Sequence, residues 1–159
     1  MRWLDRFKTA QDERVDGFDA ALAEMRAGRK HGHWIWYVFP QLAGLGGSHL
    51  SHLYGIDGPE EAAEYLQDPV LRDRLLTITK AVEEQVTGGR SLDTLMGSAI
   101  DVRKLVSSLT LFSSVARRLH DTEGLEDYQS LARAADEVLA VAATEGYPLC
   151  PYTLARLEG

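Results

Sequence analysis

The residues best equipped for chemistry gather in one window. Between Met25 and Ile56 the chain has no Asp or Glu, although the sequence holds 24 acids in 159 residues, and a stretch of that length would carry about five at the average density. The same window holds Arg29 and Lys30, four of the five histidines (His31, His33, His49 and His52), and two of the three tryptophans, Trp34 and Trp36. Backbone amides of Gly46, Gly47 and Ser48 at the start of a helix, with Arg29, Lys30 and His33 nearby, would suit a phosphate or carboxylate. The bland alternative is a buried aromatic run beside cations that simply favour the C-terminal end of a helix dipole. Four imidazoles in two close pairs could ligate zinc, but no carboxylate or thiolate joins them in the window, so no metal is expected. Gly44-Leu45-Gly46-Gly47-Ser48-His49 lacks the last glycine of a dinucleotide fingerprint, and no Gly-Lys-Ser or Gly-Lys-Thr occurs anywhere; no cofactor is expected.

A second constellation is spaced for one helix. Asp101, Lys104 and Ser108 fall at i, i+3 and i+7, with Ser107, Thr110, Ser113 and Ser114 close by. Hydroxyls inside an apolar helix either bond back to the carbonyl one turn earlier or face a pocket, and Asp101 with Lys104 reads equally as a surface pair. The functional expectation is a pocket for a small anionic or nucleotide-like ligand formed by residues 29–54 and 101–110. In it Arg29 and Lys30 neutralise charge, Trp36 and Tyr54 enclose a ring, and Gln41, Ser48, Ser51 and Ser107 orient by hydrogen bonds. If chemistry occurs there, His33 is the general acid/base by its natural pKa, assisted by Lys104 and Ser108. The rivals are a non-catalytic protein-interaction or regulatory module and an N-glycosidase-like hydrolase. Whether the chain is an enzyme, and its oligomeric state, stay open.

The elements that must position these residues are helical. Val15, Phe18, Leu22 and Met25 share a face and predict a helix over Asp12–Ala27, stopped by Gly28. Trp34 to Phe39, ended by Pro40, reads as a short buried helix; Gln41 to Ser48 is a glycine-rich loop, and Ser48 caps a turn running to Tyr54. Pro59 and Pro69 each open a helix, the first ending near Gln67 and the second at Gly88. Ser91 to Met96 is a single turn. Val102, Leu105, Val106, Leu109, Phe112, Val115 and Leu119 then mark the most periodic helix, the expected centre of the core. Leu131 to Ala142 form another, and a last short helix follows Pro151. With no repeat or linker, one all-α multihelical globular domain over residues 1–159 is the economical reading.

Composition sets the outer bounds. Hydrophobic residues make up 45% and charged residues 26%, the balance of a globular chain, and at this size about 70% of the unfolded surface is buried. The lone Cys150 cannot form an intramolecular disulfide, and the N-terminus lacks an apolar signal core, so a cytoplasmic setting is expected. No apolar run approaches the roughly 20 residues of a membrane helix. A net charge of −7 argues against nucleic acid and anionic lipid as partners except through a local patch.

Gly28-Arg29-Lys30, His33-Trp34-Ile35-Trp36-Tyr37-Val38-Phe39-Pro40-Gln41, Leu45-Gly46, Ser48, Ser51, Tyr54 and Ile56 form one block of a longer pattern. Asp68-Pro69-Val70-Leu71, Arg74-Leu75, Gly97-Ser98, Asp101, Lys104-Leu105 and Ser107-Ser108-Leu109-Thr110-Leu111-Phe112 continue it in order. Together they resemble the domain of unknown function 1810 family over nearly the whole chain. The resemblance implies an all-α multihelical domain and no established activity. Asp68 departs from it, standing where the family often has a basic residue or histidine. Members are sometimes labelled calpastatin-like, which nothing in this globular, unrepeated chain supports. A weaker likeness, at fold level only, is to the NADAR group of helical N-glycosidases.

Overall fold

The computed structural model describes residues 3–158, so Met1, Arg2 and Gly159 of the expected domain lie outside the described residues. Ten helices follow one another: α1 (Asp5–Gln11), α2 (Phe18–Ala27), α3 (Ile35–Val38), α4 (His49–Leu53), α5 (Pro59–Gln67), α6 (Pro69–Thr87), α7 (Leu92–Met96), α8 (Ala99–Glu123), α9 (Glu126–Thr144) and α10 (Pro151–Leu157). No helix among the described residues is long and apolar enough to cross a membrane.

Local signals explain most boundaries. Proline opens α5, α6 and α10 at the first helical position, where its missing N–H costs nothing. The Asp68 carboxylate accepts the amides of Val70 (2.9 Å) and Leu71 (3.1 Å) at the start of α6. Ser48, Ser91 and Ser98 do the same for α4, α7 and α8. Gly28 ends α2 in the left-handed conformation, as its position after the last periodic residue predicts.

The helix expected over Asp12–Ala27 is corrected: it starts only at Phe18, and the separate α1 precedes it. Asp12 instead closes α1, its amide donating to the Lys8 carbonyl. The chain then reverses through Asp16, which has a φ of 56°, and Gly17, an Asp-Gly turn signal that outweighs the apolar spacing. A side chain at Gly17 would lie 1.9 Å from the Glu13 carbonyl oxygen. Val15, assigned to the apolar face by spacing, is 80% exposed on this turn.

The helix read as the centre of the core is central. α8 packs along α9, which packs along α6, while α3, α5, α7 and α10 also lie against α8 and α2 covers α6. Val102, Leu105, Leu109 and Phe112 are fully buried. The Phe112 ring sits 5.1 Å from that of Tyr65 on α5, and Tyr65 makes an edge contact with Phe7 of α1. One continuous apolar cluster therefore runs from α1 to α10.

Candidate functional site

The aromatic run folds as the one-turn helix α3 because its side chains divide between two sides. Trp34, Ile35, Val38 and Phe39 are buried, whereas Trp36 and Tyr37 are half-buried. What holds the preceding cationic segment is an acid just outside the acid-free window. One carboxylate oxygen of Glu24 accepts the amides of His31 (2.8 Å) and Gly32 (2.9 Å) and the Trp34 indole N–H (2.8 Å). Burial raises the Glu24 pKa, but those three donors outweigh it and hold the carboxyl below its ordinary value.

The two cations of the segment differ. The Lys30 ammonium lies 2.9 Å from the Asp101 carboxylate and 5.0 Å over the Trp34 ring, and the Lys30 amide donates to the Leu95 carbonyl at 2.8 Å. Its charge is already matched. The surface pair of Asp101 with Lys104 is thereby corrected: Asp101, at the start of α8, meets Lys30 across the fold. Arg29 and His33 are exposed; the His33 carbonyl accepts the Tyr37 hydroxyl at 3.2 Å, but neither the Arg29 nor the His33 side chain is hydrogen-bonded to another described residue.

The glycine-rich loop is a compact Ω-shaped excursion whose ends meet. The Ile56 amide donates to the Gln41 carbonyl (2.9 Å), the Ala43 amide donates to the Ile56 carbonyl (2.7 Å), and Leu42 and Ile56 form a parallel bridge. Inside it the buried Gln41 side chain reaches the Leu45 carbonyl at 3.4 Å. The Ser48 hydroxyl accepts the Ser51 amide at 3.1 Å and lies 2.9 Å from the Ser51 hydroxyl. Tyr54 leaves the loop for an aromatic cluster, its ring 5.1 Å from Tyr37 and 5.9 Å from Phe7. Burial first, then the negative charge of Asp16, pushes the Tyr37 hydroxyl up to about 12.

The hydroxyls of α8 behave unequally. Ser107 bonds back to the Arg103 carbonyl (2.9 Å), Thr110 to that of Val106 (2.7 Å) and Ser113 to that of Thr110 (3.4 Å). Ser108 is fully buried and its hydroxyl has no partner. One turn earlier, the half-buried Lys104 places its ammonium 5.0 Å from the centre of the Trp36 ring. The Trp36 indole N–H is likewise buried without a partner. Lys104 forms no ion pair among the described residues.

The structure thus brings Trp36 onto Lys104, with Ser108 the next residue on the same face of α8. Lys30 is joined to the start of that helix, Gln41, Ser48 and Ser51 stay within the loop, Ser107 bonds within α8, and Tyr54 turns toward α1. Among the described residues no group of three or more His, Cys, Asp and Glu gathers within reach of a metal ion. Spacing did not reveal Glu24 as the organiser of the segment, nor Tyr152 of α10, whose hydroxyl donates to the Ala43 carbonyl at 2.7 Å. The run of three donors held by Glu24 begins seven residues beyond it, too far for any local motif to signal.

A ten-helix domain with this seam against its central helix defines the class, and the comparisons place it further. A family described as protein of unknown function (DUF1810) matches residues 2–137, and the chain belongs to that family. The chain is also similar to a solved structure, the conserved hypothetical protein Rv1873 from Mycobacterium tuberculosis. The two are 39% identical over 89% of this chain and 94% of that one, with a TM-score of 0.66. A comparison with curated proteins returns no match.

Proposed function

We propose that this protein binds a small anionic, acceptor-rich ligand at the seam where α3 meets α8. The observation that carries the reading is the pairing of two buried donors without partners, the Trp36 indole N–H and the Ser108 hydroxyl, with the unpaired ammonium of Lys104. A buried polar group left unbonded costs about 1–3 kcal/mol. Trp36 lies against that cation and Ser108 sits one turn along the same face of α8, and a phosphate or carboxylate oxygen is the acceptor that such donors call for. Indole and ammonium can only donate, so the complementary ligand group is an acceptor. Trp36 supplies an aromatic face beside it, which suits a ring carried by the same ligand. The loop serines bond to one another, and Lys30 is matched by Asp101, so these shape the seam while Lys104 carries its charge. Exposed His33, three residues ahead of Trp36, stands toward solvent; the reading is one of binding.

Thermal unfolding against a panel of nucleotides, sugar phosphates and organic acids tests it. A true ligand at one hundred times its Kd stabilises by about 2.7 kcal/mol, raising the Tm by about 5–10 °C for a domain of this size. Ser108→Ala, Trp36→Phe and Lys104→Gln should each weaken that shift while remaining folded. A panel in which no anion moves the Tm, or a shift unchanged in all three variants, sinks the reading.

A further inference from the structure

The neighbouring flank of α8 carries a second feature that the seam does not use. Arg103, Val106 and Ser107 form one wall of a cleft of about 310 Å³, and the segment 146–151 with Leu45 of the glycine loop forms the rest. At 100° per residue, this wall lies on a different face of α8 from Lys104 and Ser108. The volume falls at the lower end of small-molecule sites, which run from about 300 to 1,000 Å³.

Its chemistry is simple. Leu45, Val106, Tyr147, Pro148 and Pro151 give an apolar lining. The Ser107 hydroxyl is committed to the Arg103 carbonyl, and the Cys150 amide donates to the Thr110 hydroxyl at 3.3 Å. That leaves one charge. The Arg103 guanidinium is exposed, sits 6.0 Å from the Tyr147 ring centre and has no ion pair among the described residues. The Asp93 carboxylate accepts the Tyr147 hydroxyl rather than pairing with Arg103. No acid lines the cleft, although the chain carries a net charge of −7.

We infer that this cleft is a binding site for a small monocarboxylic acid with an apolar body, its carboxylate on Arg103 and its body against Leu45, Val106 and Tyr147. A single cation above an apolar wall matches one carboxylate. A nucleotide or polyphosphate would need further cations or free amides that the lining does not offer. The segment 146–151 lies beyond residues 2–137, which match the family model, while Leu45, Arg103, Val106 and Ser107 lie within them.

The chain provides its own reporter, because Cys150 lines the cleft and is the only cysteine. Cys150 is half-buried, so its thiol stays within reach of a small labelling reagent. Labelling by the uncharged reagent 4,4′-dithiodipyridine is followed with octanoate, octanol and acetate as probes. Octanoate at about ten times its Kd should slow the reaction roughly tenfold, with octanol and acetate protecting far less. Arg103→Gln, a surface change that leaves the core intact, should keep the unprotected rate and lose the protection. Ser108→Ala should keep both, which separates this site from the seam. Equal rates with and without octanoate, equal protection by octanol, or protection surviving in Arg103→Gln would each overturn the inference.

Discussion

A serine within a helix has a carbonyl one turn back within reach, so the free hydroxyl of Ser108 gains meaning from its neighbours. Ser107 and Thr110 take the local bond, and Thr110 also accepts the Cys150 amide. Ser108 takes none while fully buried. The expected outcome is a contrast in urea unfolding without ligand. Ser108→Ala should be neutral or stabilising by up to about 1 kcal/mol, because it removes an unpaired polar group, whereas Thr110→Ala should cost about 1–3 kcal/mol by orphaning a backbone donor. A Ser108→Ala loss as large as that of Thr110→Ala would mean its hydroxyl is bonded in solution. At this scale the sequence shows the residue types and the shared face of Lys104 and Ser108. It does not show which hydroxyl stays free, because back-bonding depends on what packs opposite each one. Lys30 makes the same point, since its partner Asp101 is 71 positions away and no spacing rule reaches that far.

Among the elements, the ends with a chemical signal were legible: prolines at the first turn, serine caps, and glycines at helix exits. The Asp12–Phe18 stretch misled, because its apolar spacing fits a helix while the competing Asp16-Gly17 turn signal is what the chain follows. Asp68 shows how one end is secured. It caps α6 and pairs with the Lys8 ammonium of α1 at 2.5 Å. Burial raises its pKa, yet Lys8 and the amides of Leu71 and Val70 outweigh that and hold it below the ordinary value. A carboxyl whose folded pKa is depressed contributes stability that is present above its unfolded pKa of about 3.9 and fades as pH falls through the lower folded value. Asp68→Ala should therefore cost about 0.5–2 kcal/mol near neutral pH. The gap between wild type and variant should close as the solution is acidified below about pH 4. Urea midpoints measured down the acid side check this, and a gap that is constant with pH would show that the charge of Asp68 contributes nothing.

At the scale of the whole molecule, an all-α domain with α8 at its centre was readable from periodicity alone, but the docking of distant segments was not. The glycine loop shows this best. Its composition marks it as a loop, yet its resting place is set by Tyr152, 109 positions later, on a helix too short to be a strong signal. Gly44 is required there twice: its φ is +95°, and a side chain would lie 2.0 Å from the Tyr152 hydroxyl oxygen. The loop is thus tied at its neck by the Leu42–Ile56 bridge and by the Arg6 guanidinium, which donates to the Leu53 and Gly55 carbonyls, and along its side by the Tyr152 hydroxyl. Regions held by few bonds open at lower free energy than the packed core. Tyr152→Phe keeps the ring that the Arg156 guanidinium covers, at 3.2 Å from its centre, and removes only the hydrogen bond to Ala43. A loss of about 1 kcal/mol should speed amide exchange about fivefold at Ser51, His52 and Tyr54. Exchange in the middle of α6, α8 and α9 should stay unchanged. Acceleration spread equally through those helices would instead place the loop within the global unfolding unit, and no acceleration anywhere would show that the neck alone holds it.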